Sequence, residues 1–367
     1  MKWLLAFAPI ALLLEHFAPD RTLLIFATAA ISIVPLAAIM AQATSVLAAK
    51  LGPSIGGLLN ATFGNAAEFI ICLAALREGL HKMVMASLAG AIIGNILLVM
   101  GISMVLGGAR WGVQRYDTAM SRTLTAMLTL AVISMILPAA YRAVVPAEAA
   151  AIDSVSVWIA VVLLAMYACN VIYTLRAQPA GDAHAAHDAH GGAHDGHGHD
   201  GHGHGHDVPP WSPMRAAIVL GTATFGVVIM SEILVAVIEP ATESLGLSPA
   251  FSGVFVLAVL GGAAEAVSAI LAARSNQMGL SMSIAQGASV QLALLIAPLL
   301  VLLSYFVGPG PMPLVFTPGL VVSVLLAVMI SNAIAGDGRT DWFRGAQLLT
   351  VYLILAAVFF YAPGAPE

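Results

Sequence analysis

Along most of the chain, apolar residues run on for about 20 positions before a short polar break, the length that carries an α-helix across roughly 30 Å of hydrocarbon. Eleven such runs can be delimited, at 3 to 18, 23 to 48, 55 to 76, 83 to 107, 118 to 141, 154 to 175, 215 to 238, 250 to 273, 279 to 304, 314 to 335 and 342 to 362. The pattern predicts an all-α polytopic membrane protein with the lipid bilayer as its surroundings. In the first run, Lys2 precedes a short apolar core. A signal peptide shares those features, but no small-residue cleavage pattern follows, so a retained helix is expected.

One segment breaks the rhythm. Residues 177 to 210, AQPAGDAHAAHDAHGGAHDGHGHDGHGHGHDVPP, have no hydrophobic periodicity and read as a polar linker. Nine of the eleven histidines lie there, among them His194, His197, His199, His202, His204 and His206. Neutral imidazoles chelate transition metals such as Zn2+, so a weak regulatory metal partner is one reading and a plain tether the other. The linker divides the chain into an N-terminal helix (1–18), a first five-helix unit (19–176) and a second (211–367).

Composition sharpens the class. Only 9% of the 367 residues are charged and 60% are hydrophobic, against about a quarter charged in soluble domains. Nothing points to a nucleic-acid partner. Cys72 and Cys169 fall inside apolar runs and read as small buried hydrophobes. Sorting the fourteen Lys and Arg by side puts ten with the N-terminus and four opposite. Positive charge collects in cytoplasmic loops, so the N-terminus and the linker are expected in the cytoplasm and the C-terminus outside. The chain's compactness is bacterial-like and suggests a bacterial inner membrane.

The two halves also resemble each other. A shift of 197 positions aligns 64 to 99 with 261 to 296 without a gap, and eleven of 36 positions match. Glu68/Glu265 and Arg77/Arg274 carry the most weight, because such residues are scarce here. With five spans each, the repeats would enter the membrane from opposite sides, an arrangement found in secondary transporters with a site near the midplane.

Both repeats carry an acid in apolar surroundings, in GNAAEFI (64 to 70) and GGAAEAV (261 to 267). An ionised carboxylate in hydrocarbon is costly, so Glu68 and Glu265 must face water, a partner or the bundle interior. Small residues beside them leave room, and amides and hydroxyls such as Asn65, Asn95, Ser289 and Gln291 lie on the same or the following helix. With oxygen donors and no histidine in the central spans, a hard cation is implied, and Ca2+ suits the inventory. A single intramembrane acid could also be a helix-packing residue, a reading that repetition weakens. Glu232 on the seventh run is either an accessory acid of a proton or cation pathway or a packing residue.

At these residues the chain resembles the calcium/proton antiporters, the cation/proton exchanger branch of the cation/calcium exchanger superfamily. GGLLNATFGNAAEFI (56 to 70) is similar to that family's first signature, and GGAAEA (261 to 266) with GASVQLALLIAP (287 to 298) resembles the second. The resemblance implies one N-terminal helix plus two inverted five-helix repeats, alternating access, and Glu68 and Glu265 at a shared cation and proton site. It further implies supporting roles for Asn65, Asn95, Ser289 and Gln291, and a pathway role for Glu232. Gly262 stands where the family has an amide matching Asn65, and Ser45 where an acid is usual. Ser45 is therefore an accessory candidate.

The expectation is a secondary transporter exchanging cytosolic Ca2+ for protons, with no cofactor and no enzymatic chemistry. Na+/H+ or K+/H+ exchange is the nearest alternative, and a zinc transporter a more distant one. A passive channel would use the same polar helices. An intramembrane enzyme would need a nucleophile and base or a zinc motif, and the spans contain neither.

Overall fold

An unpartnered backbone N–H or C=O in hydrocarbon costs several kcal/mol, so apolar runs of this length are driven into helices that satisfy their own backbone. The computed structural model describes residues 2–51, 56, 59, 62–145, 149–176 and 211–361. The chain is mostly helical and belongs in a membrane. A 3-10 turn, Lys2–Ala6, leads into α1 (Phe7–Phe17), followed by α2 (Thr22–Leu51) and α3 (Ala66–Arg77). Then come α4 (His81–Trp111), α5 (Thr118–Val144) and α6 (Ala149–Arg176). The second half has α7 (Pro213–Ser244), α8 (Pro249–Gly261), α9 (Ala263–Arg274), α10 (Met278–Leu303), α11 (Pro318–Ala335) and α12 (Trp342–Tyr361).

Among the described residues eight helices are long and apolar enough to span: α2, α4, α5, α6, α7, α10, α11 and α12. Helices α8 and α9 meet at a 62° bend and together make a ninth. Of the expected runs, the one at 3 to 18 becomes a short apolar helix, Trp3–Phe17. The run at 55 to 76 is described mainly as α3, the rest of it lying largely outside the described residues. The histidine tract at 184 to 206 also falls outside them.

The sequence shift reappears in the helix ends. Helices α3 and α9 both have 12 residues, and 197 positions separate their starts and their stops. Past each stop the chain turns through a left-handed residue, Gly79 (φ 75°) and Asn276 (φ 61°), again 197 apart. Glycine adopts that conformation freely and asparagine is the side chain that tolerates it best. Helices α4 and α10 begin 197 apart too, and each widens into a π-turn, at Gly94–Val99 and Leu292–Ile296.

Packing separates two groups of helices. Helices α4, α5, α6, α10, α11 and α12 share one large apolar core containing Leu88, Ile96, Met104, Leu128, Leu294 and Leu348. Helices α2 and α7 lie along each other, with Leu36 Cδ2 only 3.1 Å from where a Cβ on Gly226 would sit. That pair covers the short helices: Ile71 of α3 packs with Met230, Ile233, Leu234 and Ile238 of α7. Ala11 of α1 closes the same cluster. At one end of the bundle, β1 (Gln114–Arg115) pairs antiparallel with β2 (Arg339–Thr340), joining the two halves.

Candidate cation site

Helices α3 and α9 start at breaks in the chain rather than at loops on the surface. Asn65 and Gly262 precede them with non-helical backbone, and no side chain caps either start. Each helix places its acid in its first turn, where unpaired N–H groups and the positive end of the helix dipole favour an anion. An interrupted helix also frees carbonyl oxygens on the other side of the break, which suits a cation between the two.

Glu68 is 4% exposed, and neither of its carboxylate oxygens has a hydrogen-bond partner. Glu265 is half-buried, and its Oε2 is sealed from solvent and equally unpartnered. Glu265 stands three residues beyond Gly262, in the first turn of α9. The break before α9 lies against Glu68. A Cβ built on Gly261 would lie 2.7 Å from Glu68 Cγ, so the glycine backbone is the surface against which this acid rests. A Cβ on Gly262 would lie 3.5 Å from Glu68 Oε1 and 3.6 Å from Asn95 Oδ1. Both oxygens therefore lie beside Gly262.

Asn95 is 3% exposed and its Nδ2 has no partner. It lies in the π-turn of α4, whereas Gln291 is the residue just before the π-turn of α10. A π-turn inserts a residue and re-aims the side chains around it. The two π-turns start 198 positions apart, one residue out of register with the 197-residue shift, and Asn95 and Gln291 stand 196 apart. Asn65 Nδ2 donates to Gln291 Oε1 at 2.5 Å, linking the start of α3 to α10, while Asn65 Oδ1 remains buried and unpartnered.

The remaining candidates are placed differently. Ser289 is fully buried in α10 and donates to the Ala285 carbonyl at 3.0 Å, and Ser45 on α2 donates to the Ala41 carbonyl at 3.0 Å. Both hydroxyl protons are thus used within their own helices. Glu232 forms an ion pair with Arg77, at the far end of α3, nine residues or about 13 Å of helix beyond Glu68. In this conformation it binds an arginine instead of facing the carboxylate pair. Two features escape a residue-by-residue reading of the sequence: the close approach of Gly261 to Glu68 and the Arg77–Glu232 pair. The repeated Arg77/Arg274 was the only sign of the latter.

Four sealed oxygens, Glu68 Oε1 and Oε2, Glu265 Oε2 and Asn65 Oδ1, share this region, all acceptors without a donor. Buried acceptors are normally satisfied, and a positively charged ligand would supply what these lack. Among the described residues no three His, Cys, Asp or Glu side chains gather as a transition-metal site would require.

The model of the sodium/calcium exchanger protein family matches the chain twice, over residues 21–176 and 215–361. The chain belongs to that family. It is 38% identical to the Ca(2+)/H(+) antiporter of Aphanothece halophytica, over 99% of this chain and 97% of the relative. Identity is also 38% with the Ca(2+)/H(+) antiporter ChaA of Bacillus subtilis, covering 92% of each. The solved structure of native YfkE superposes with a TM-score of 0.80 at 34% identity, over 97% of this chain and 98% of that one. The H+/Ca2+ exchanger CAX, at 16% identity over 98% of this chain and 91% of that one, shares the fold with a TM-score of 0.68. These relatives are transporters rather than enzymes. Membership also accounts for the bisection of the chain, since the family match stops where the polar linker begins and resumes after it.

Proposed function

We propose that this family member is a secondary transporter that exchanges cytosolic Ca2+ for protons, with Glu68 and Glu265 as the shared binding site. The observation that carries the reading is the set of four buried, unpartnered oxygens, three from the two carboxylates and one from Asn65. Ca2+ takes 6 to 8 oxygens at about 2.3–2.6 Å, so backbone carbonyls at the helix breaks, Asn95 and water would complete its shell. Two glutamates balance one Ca2+ or two protons. Either load neutralises the site, while the empty, doubly negative site would be too costly to reorient through a low-dielectric core. That restriction couples the two fluxes.

The full architecture we infer is an N-terminal helix and two inverted five-helix repeats working by alternating access. Matched helix bounds and the double family match support the repeats. The sealing of α3 by α7, beside a more open α9, supports access from one side at a time. On the charge reading the sealed side is external, so this conformation faces the cytoplasm.

Proton-gradient collapse in everted vesicles on adding Ca2+ tests the proposal. Wild-type protein gives the response, and Glu68→Gln and Glu265→Gln each reduce it by at least about a hundredfold. Undiminished exchange in both variants sinks the site. Substituting Na+ or K+ for Ca2+ in the same assay separates this reading from monovalent exchange.

A further inference from the structure

The ribbon that joins the two halves has an unusual outer face. Its Cα partners are Gln114↔Thr340 and Arg115↔Arg339, with the first pair buried and the second exposed. Like charges directly opposite on an antiparallel pair repel. Among the described residues no acid forms an ion pair with either arginine. Asp337 is paired with Arg344 at 2.6 Å, Asp341 accepts from the Phe343 and Arg344 backbone N–H groups, and Asp117 accepts from that of Ala119. Arg344 Nη1 also donates to the Arg339 carbonyl at 2.6 Å, adding a third guanidinium beside the pair.

The ribbon's position in the membrane suggests what completes it. It sits in the two short connections between spans, α4 to α5 and α11 to α12, and so lies at the level where lipid headgroups begin. Trp111 and Trp342, 46% and 55% exposed, flank it at helix ends, where interfacial tryptophans anchor. We propose that Arg115 and Arg339 form a binding site for the phosphate of an acidic phospholipid in the adjoining leaflet. Two guanidiniums side by side offer the forked donors that phosphate oxygens accept, and the lipid charge removes their repulsion.

The inner face of the same ribbon gives the site a consequence. Gln114 Nε2 donates to the Ala273 carbonyl at 3.1 Å and to Asn276 Oδ1 at 3.0 Å, and Trp111 Nε1 donates to the Arg274 carbonyl at 2.9 Å. These groups end α9, the helix that carries Glu265. A lipid on one face therefore steadies, through the other, the helix holding half of the cation site. That consequence rests on the proposed exchange; the binding does not.

Native mass spectrometry of the full chain, with phosphatidylglycerol and phosphatidylcholine supplied together, reads the binding directly. Wild-type protein retains phosphatidylglycerol on the order of tenfold over phosphatidylcholine. Arg115→Gln with Arg339→Gln brings the ratio close to one, and Arg115→Lys with Arg339→Lys, which keeps the charge but not the fork, gives an intermediate ratio, which separates lost charge from lost fold. Excess inorganic phosphate leaves the wild-type ratio unchanged. Equal retention of the two lipids by wild type, an unchanged ratio in the Gln variant, or displacement by inorganic phosphate alone overturns the site. In liposomes, Ca2+-driven proton flux rises severalfold with phosphatidylglycerol for wild type and does not for the Gln variant. Flux absent under all conditions in wild type, with lipid retention intact, refutes the exchange reading alone.

Discussion

Helices α3 and α9 begin, carry their glutamate and stop at matching positions, yet they live in different surroundings. Eight of the twelve residues of α3 are buried, against four of α9. Ile71 is 1% exposed beneath α7, while its counterpart in the repeat, Ser268, is exposed. The far end of α3 is held by the Arg77–Glu232 ion pair; the end of α9 is held by Trp111 and Gln114, through the Ala273 and Arg274 carbonyls and the Asn276 side chain. Two copies of one motif cannot differ this way through local propensity. The difference lies in how the α2/α7 pair leans on them, and a leaning pair can lean the other way. Under the alternating access proposed above, matching carboxylates beneath unequal cover are what one of the two states would present.

The largest effect should come from the glycine break, where neighbouring positions ought to behave differently. Gly261→Ala pushes a methyl to 2.7 Å from Glu68 Cγ, so the acid must move. Displacing a reacting group by an ångström costs on the order of a hundredfold, and exchange should fall by about that much. Gly262→Ala meets only ordinary contacts at 3.5 and 3.6 Å, leaves Glu68 where it is and should cost clearly less than Gly261→Ala. Flux assays at matched membrane abundance decide; equal loss in both variants would remove Gly261 as the resting surface of Glu68.

The next effect probes the cover itself. With Cys72 and Cys169 replaced, Ser268→Cys should react readily with a membrane-impermeant maleimide and Ile71→Cys should resist it, following their exposures. Adding Glu232→Ala releases Arg77 and should raise labelling of Ile71→Cys severalfold. Exposed ion pairs are typically worth under about 1 kcal/mol, so a shift of about fivefold in the population of the opened state is the ceiling. Indifference of Ile71→Cys to the loss of Glu232 would leave the ion pair without a role in sealing.

Much of this was readable from the residues alone, for a physical reason. A carboxylate in hydrocarbon is conspicuous, so Glu68, Glu265 and their repeat announce themselves, as do the long apolar runs. Asn65 with Gln291 was readable as a set of polar side chains, though their bond depends on α3 and α10 being brought together. What stayed hidden was relational. The contact of Gly261 with Glu68 belongs to two helices almost two hundred residues apart, and the π-turns beside Asn95 and Gln291 have no sequence signature of their own. Ser289 read as a site hydroxyl, but a helix offers a serine its own carbonyl four residues back, and Ser289 takes it. Glu232 read as an accessory acid of the pathway, and nothing in its local sequence shows that Arg77 lies opposite.

A smaller effect belongs to the amide bridge. Asn65→Ala deprives the buried Gln291 oxygen of its donor and removes the unpartnered Asn65 Oδ1 from the carboxylate region. Leaving a buried acceptor unsatisfied costs about 1–3 kcal/mol, so the Ca2+ concentration for half-maximal flux should rise roughly tenfold. Because one bond joins the two residues, Asn65→Ala with Gln291→Ala should cost less than the sum of the single changes. Strict additivity would mean that the bridge does not act as a unit. The second repeat has no such bridge, since Gly262 stands where Asn65 would be.

The smallest effect concerns the two helix stops, which look equivalent by dihedral angle and should respond differently. Gly79→Ala places a Cβ in a left-handed residue, at about 1–2 kcal/mol, and sets it 2.8 Å from Pro309 Cγ. Asn276→Gly relieves a milder strain but gives up the bond that Asn276 Oδ1 accepts from Gln114, worth about 0.5–1.5 kcal/mol. The terms oppose each other in the second case and reinforce each other in the first. Thermal unfolding in detergent should therefore drop by several degrees for Gly79→Ala and move by no more than about 2 °C for Asn276→Gly. A large fall for Asn276→Gly would show that the Gln114 bond, rather than the turn, is what ends α9. The ribbon would then hold the Glu265 helix more firmly than the ion pair holds its partner.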